Sequence, residues 1–329
     1  MNKNKINWVA VLTMMFLFGM IAFVTNLAAP IGVIWKQAPG VEGSNFWGMM
    51  GNMMNFLAYA FMGIPAGKLI TKIGYKKTTL IGVGVGLIGV FVQFLSGKIG
   101  VGSTLAGLPA NFFVYLLGAF ICGFSVCILN TVVNPMLNLL GGGGNRGNQL
   151  VQIGGTFNSL LGTLTPMLVG ALVGSVTKDT VITDVNLVLY MAMGVFAATF
   201  VILTFVPFVE PEQEKNNISV KSLFEYRHLV FGVVAIFFYV GVEVGIPGTM
   251  NFFLTDTLGT ANAATTAGFV AGTYWLLMLV GRFVSSLISG KVSSRAQLAA
   301  TSGAAIVLVI LAMFTTDVPA SMPVFTGSG

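Results

Sequence analysis

Between Lys5 and Lys36 the chain carries no acidic or basic side chain, and eight more apolar runs of comparable length follow. A run of about 20 apolar residues at 1.5 Å rise per residue is long enough to cross a bilayer as a helix. The runs are Trp8 to Trp35, Phe46 to Ile70, Thr78 to Leu95, Asn111 to Leu139, Leu150 to Val176, Leu187 to Val209, Leu229 to Thr255, Ala264 to Ser289 and Ala296 to Phe314. They are continuous and do not alternate, which favours helices over a barrel. Charged residues make up only 8% of the 329, against about a quarter in a soluble domain. These features predict an all-α membrane protein of about nine helices with lipid as its main solvent. Lys3 and Lys5 precede a first run too long for a cleaved leader, so it reads as an uncleaved span.

The loops supply an orientation. With the N-terminus in the cytoplasm, the inside set is Lys3, Lys5, Lys68, Lys72, Lys76, Lys77, Arg146, Lys215, Lys221, Arg227, Arg282, Lys291 and Arg295, or 13 of the 16 basic residues. Lys36, Lys98 and Lys178 fall outside, the asymmetry that the positive-inside rule describes. The stretch Glu210–His228 is charged and interrupts the apolar pattern after six spans. It predicts a cytoplasmic linker over 210–228 between a six-helix bundle at 1–209 and an incomplete bundle at 229–329. Two six-helix halves built of three-helix repeats are a transporter plan. On that plan the second half is truncated, and on the order of 100 further residues would complete it.

Several chemical signals have simpler readings. Gly84, Gly86 and Gly89 match a dinucleotide fingerprint but lie inside an apolar run with no strand before them, so they read as close helix contacts. Gly141–Gly144 lacks the Lys-Ser/Thr of a phosphate loop and reads as a turn. Cys122 and Cys127 lie five apart in one run and read as buried small side chains. His228, the single histidine, stands at a membrane boundary. No paired carboxylates, nucleophilic triad or metal cluster can be assembled, so no enzyme, cofactor, metal or nucleic-acid partner is expected. The chain is read as a monomer.

Polar residues within the spans carry the functional argument, because lipid makes them costly. Asn130, Asn134 and Asn138 recur every four residues and share one helix face. Asn52, Asn55 and Tyr59, three and then four apart, share a face in the second span; the fifth offers Gln152, Thr156, Asn158, Ser159 and Thr163, and the first Thr25 and Asn26. Stripes on four neighbouring helices predict a polar cavity suited to a neutral polyhydroxylated solute. Glu243 reads as the one charged residue well inside a span, a candidate for ion coupling through a proton or sodium.

The basic segment Pro65 to Lys77 resembles the loop signature of the major facilitator superfamily, with Gly281, Arg282 and Phe283 as an echo; it assigns Gly67, Lys68, Gly74, Lys76, Lys77 and Arg282 to cytoplasmic gating loops. The common acidic residue of that signature is absent. Phe237–Gly241, Gly281–Phe283, Leu129–Pro135 and Thr156–Ser159 together resemble the fucose:proton symporter and bacterial glucose/galactose transporter family, from the first span to the eighth. The resemblance implies the facilitator fold and a hexose cargo. It places the family's sugar-contacting asparagine on Asn158, and its two proton-carrying acids on Asn26 and Asn130, both asparagine here. The expected sugar-binding set is Asn26, Asn130, Asn134, Asn158, Gln152 and Tyr239, in a secondary transporter with Glu243 left to couple an ion. A passive uniporter, a carrier of another neutral solute and a sugar receptor are the alternatives.

Overall fold

A computed structural model describes residues 7–41, 43–173, 179–205, 225–258, 263–289 and 292–314. Eight of its helices are long and apolar enough to cross a membrane. They are α1 (Trp8–Trp35), α2 (Asn45–Leu95), α3 (Ala110–Leu140), α4 (Gly144–Val173), α5 (Asn186–Phe205), α6 (Arg227–Leu258), α7 (Ala263–Ile288) and α8 (Ser294–Phe314). Where the residues are described, the expected runs lie on helix, two of them on the arms of α2. That helix is 51 residues long and breaks at Gly74, whose φ of 83° and ψ of 172° lie outside helical space. A side chain there would be strained, and glycine supplies the turn without one. The basic loop expected between the two runs is therefore a one-residue break, with Gly67 and Lys68 before it and Lys76 and Lys77 after it all in helix. Most of the 210–228 linker, Lys3, Lys5, Lys178, Lys291 and the tail after Phe314 lie outside the described residues.

Local chemistry sets the helix ends. The Asn7 side chain caps α1 by accepting from the Ala10 amide at 3.2 Å, and Ser44 caps α2 at Trp47, each satisfying a free N–H of the first turn. Within the helices, the hydroxyls of Thr25, Thr156 and Thr163 donate to the carbonyls of Ile21, Gln152 and Ser159, four residues back. Such bonds let a hydroxyl sit in an apolar setting without a partner on another helix. One feature outside the all-α expectation is a small antiparallel hairpin, Thr104–Leu105 with Leu108–Pro109. Its turn residues Ala106 and Gly107 both have positive φ, as a two-residue hairpin turn requires.

Helix α1 runs through the middle of the bundle, buried along most of its length. It packs on α2, α3 and α4 on one side and touches α6 and α7 on the other, while α2 lies along α3 and α5. Small residues permit the closest approaches. A Cβ at Gly89 would meet the backbone of Cys122 at 2.7 Å, and one at Gly86 would strike the Phe196 ring. The glycine pattern is helix packing, and Cys122 and Cys127 are buried free thiols. The later helices are joined through α4 and α7, which pack closely and run antiparallel: Gly155 faces Arg282, Gly162 faces Trp275 and Gly170 faces Thr265. By contrast α6 buries only Pro247, Gly248, Asn251 and Phe252.

Candidate functional site

Three polar layers lie between α1 and the α6–α7 pair, stacked along the helix axes. The first is at the level of Phe18. Arg282 Nη1 donates to the Gly155 carbonyl at 3.0 Å and to Asn158 Oδ1 at 3.4 Å. Its Nη2 donates to the Tyr239 hydroxyl at 3.3 Å and to the Glu243 carboxylate, forming an ion pair whose side chains are 19% and 12% exposed. Asn158 Nδ2 donates in turn to the Phe18 carbonyl at 2.9 Å. One guanidinium thus ties α4, α6 and α7 together, and through Asn158 it reaches α1. The planar fork of donors suits this role, since five N–H groups can address several acceptors at once.

This arrangement corrects two expectations. Arg282 is no loop residue: it sits in the body of α7, half-buried, with its head turned into the bundle. Glu243 is consequently not the one charge inside the spans and not unpaired. A basic residue near a helix end reads the same in sequence whether it snorkels outward or turns inward.

The second layer lies about 12 Å further along α1, eight residues at 1.5 Å each. Here a cavity is lined by Thr25, Asn26, Ala29, Asn52, Pro166, Val244, Pro247, Gly248, Asn251, Ala271 and Trp275. Its volume is about 20 Å³, room for a water or two. Of the expected sugar-binding residues, only Asn26 lines it. Asn130 and Asn134 belong to a separate cluster on α2 and α3, where Asn130 Nδ2 donates to the Tyr59 hydroxyl at 2.8 Å and Asn134 Nδ2 donates to the Asn130 carbonyl at 3.1 Å. Asn138 bonds Asn148 at 3.0 Å. Gln152 is half-buried on α4 and Tyr239 half-exposed on α6. Asn130, Asn134 and Asn158 are expected to face one cavity; among the described residues no hydrogen bond joins the first two to Asn158. Asn52 belongs to the polar stripe expected on the second span, whereas Asn251 and Trp275 lie outside the expected set; for Asn251, an amide in the apolar run after Pro247 is the available signal.

The third layer closes the Lys36 end. Lys36, its side chain 6% exposed, donates to the Asp256 carboxylate, and Asn45 Nδ2 donates to Asp256 Oδ2 at 3.3 Å. Beneath this pair the Phe252 ring, 2% exposed, packs into a notch between Gly32 and Gly48. A Cβ at Gly48 would stand 2.6 Å from the ring. Only glycine leaves room for it.

The Major Facilitator Superfamily profile matches residues 11–328. A glucose/galactose transporter of Brucella abortus is 30% identical over 271 residues, which are 79% of this chain and 62% of that protein. A putative glucose/galactose transporter of Helicobacter pylori strain J99 is 34% identical over 278 residues, 78% and 63% of the two chains. The L-fucose-proton symporter of Escherichia coli is 21% identical over 286 residues, 79% and 63%. The chain spans a little under two thirds of the length of these relatives. In three dimensions it is similar to a crystal structure of the E. coli fucose:proton symporter, with a TM-score of 0.68 and 18% identity over 90% of this chain and 74% of that one. Eight long apolar helices, a central α1 and the profile match over nearly the whole length lead to one conclusion: the chain belongs to the Major Facilitator Superfamily.

Proposed function

We propose that the chain acts in a secondary transporter that carries a neutral hexose across the cell membrane by alternating access. The observation that carries this reading is an interior of amides, Asn26, Asn52, Asn130, Asn134, Asn158 and Asn251, in a chain about one third identical to proteins named glucose/galactose transporters. Amides offer donors and acceptors together and carry no charge, as a sugar hydroxyl requires. The two arms of α2 are counted as separate crossings, which makes nine, with the N-terminus and the 210–228 linker in the cytoplasm. Lys36 and Asp256 then face outside, and the break at Gly74 faces in. Helices α1 to α5, with the α2 arms taken separately, form the first half; α6 to α8 belong to the second.

Asn26 and Asn130 cannot carry a proton, so coupling falls to Glu243. With Arg282 beside it, the carboxylate is neutralised; ion entry must compete with the guanidinium, which has Gly155 and Asn158 as other acceptors. Sugar and ion are thereby linked through Arg282, because Asn158 is both a proposed sugar contact and an acceptor of that guanidinium. Hexose uptake into proteoliposomes under imposed proton and sodium gradients tests the reading. Accumulation that follows one gradient in the wild type and is lost in Glu243→Gln supports it. Gradient-insensitive uptake in both would make the protein a uniporter, and binding without uptake would make it a receptor.

A further inference from the structure

Asn52 and Asn251 are buried amides that face one cavity. Asn52 is 9% exposed and Asn251 3% exposed, yet among the described residues neither side chain has a hydrogen-bond partner. Asn26, Asn130, Asn134, Asn138 and Asn158 each donate to a neighbour; Asn55 is buried without a side-chain hydrogen bond as well, but it does not line the second-layer cavity. A buried amide left without partners costs about 1–3 kcal/mol, so an unpartnered pair in one place calls for a ligand. Both side chains line the same cavity, and they come from different parts of the bundle, Asn52 from α2 and Asn251 from α6. Gly248 lies beside them: a Cβ there would touch Asn52 Nδ2 at 3.7 Å. Trp275, 4% exposed, adds an aromatic wall and is held by Gly162, where a Cβ would crowd its ring at 3.0 Å.

We propose that Asn52 and Asn251 form a two-sided clamp for sugar hydroxyls, with Trp275 covering the apolar face of the ring. The chemistry selects the ligand class. No charged side chain lines the cavity, which disfavours ionic solutes. Each amide presents an acceptor beside donors, the complement of a hydroxyl or a vicinal diol. An indole face suits the C–H side of a pyranose, an apolar surface bordered by hydroxyls. In the conformation seen, the space is too small for a hexose, and admitting one takes a separation of α6 from α2. The sugar then bridges the two walls, and reclosure around it draws the halves together.

This inference rests on the transport reading, and the experiment separates the two. Binding of D-glucose, D-galactose and L-fucose to the purified full-length protein is measured by calorimetry. The hexose that binds is then replaced by its series of monodeoxy analogues, for the wild type, Asn52→Ala and Asn251→Ala. Each substitution is expected to weaken the parent hexose roughly three- to tenfold, the loss of one hydrogen bond. The decisive result is non-additivity: the penalty for removing one particular hydroxyl should vanish in the variant that lacks its amide. A generally destabilised protein would bind all analogues proportionally worse, and that outcome overturns the clamp, as does unchanged affinity. If a variant fails to fold, the isosteric Asn→Asp substitution at the same position replaces it, and an unaltered deoxy-analogue pattern overturns the clamp equally. A wild type that binds none of the three hexoses overturns the transport reading itself.

Discussion

Two ion pairs involve the α6–α7 side of the molecule, one within it and one reaching the end of α1, and they differ in almost everything except charge. Arg282–Glu243 lies inside the bundle, with both side chains at least four-fifths covered and the guanidinium shared among four acceptors. Lys36–Asp256 lies at the ends of α1 and α6, with the carboxylate side chain 44% exposed and one further donor, Asn45. A charge that can reach water loses little when its partner is removed, whereas an interior charge without its partner costs several kcal/mol. The interior pair is therefore an obligatory unit, whereas in the end pair the lysine can be lost at small cost, because Asp256 keeps its water while Lys36 itself is only 6% exposed. On the proposed transport reading the two pairs divide the work: the interior pair holds the charge that an ion would have to compete for, and the end pair supplies a closure that can release.

The largest expected effect comes from breaking the interior pair on one side. Arg282→Met should lower stability by about 3–5 kcal/mol, because Glu243 is left buried and uncompensated. The double variant Arg282→Met with Glu243→Gln should recover much of that loss, since a neutral amide is cheaper to bury. Thermal unfolding in detergent of the three proteins checks this. Equal melting temperatures for wild type and Arg282→Met would erase the distinction between the two pairs.

Next is the apolar plug under the end pair. Phe252→Ala deletes a ring that is 2% exposed and fills the Gly32–Gly48 notch, and large-to-small changes of this kind cost about 3 kcal/mol. The variant should unfold earlier, and it should also admit a thiol reagent to a cysteine placed at Thr25 from the Lys36 side. Protection as complete as in the parent cysteine protein would show that Phe252 does not close that end.

Much of this framework was readable beforehand, and the failures share a physical origin. The limits of α1, Trp8 and Trp35, match expectation because a charge-free run between two lysines leaves a helix few choices. Asn158 was placed by resemblance and does stand in a polar cluster. Axial position is written in a sequence, but the direction of a side chain around the helix is set by its neighbours. Arg282 reads as a loop cation for that reason, and Asn130 and Asn134 group with Asn158 in sequence although their hydrogen bonds run to Tyr59 and to each other. The 104–109 hairpin escaped because two residues a side is too short for a period. Asn52 lies in an expected polar stripe, but that it shares one cavity with Asn251 is a tertiary fact no sequence pattern carries.

The smallest expected effect is the most informative about opening. Lys36→Ala should change stability by no more than about 1 kcal/mol, because Asp256 keeps access to water. Its consequence should instead be conformational: a pair linking α1 to α6 across the closed end favours the state in which that end is shut. Losing it shifts the balance toward the open state by no more than the pair is worth. Asp256→Lys should do the same with added repulsion, and Lys36→Asp combined with Asp256→Lys should restore the wild-type balance. Distances between spin labels on Gln37 and Thr257 report that balance directly. A swap that restores the short-distance population assigns the effect to charge pairing across the end. If the single variants and the swap all match the wild type, Phe252 alone holds that end closed and the ion pair is incidental.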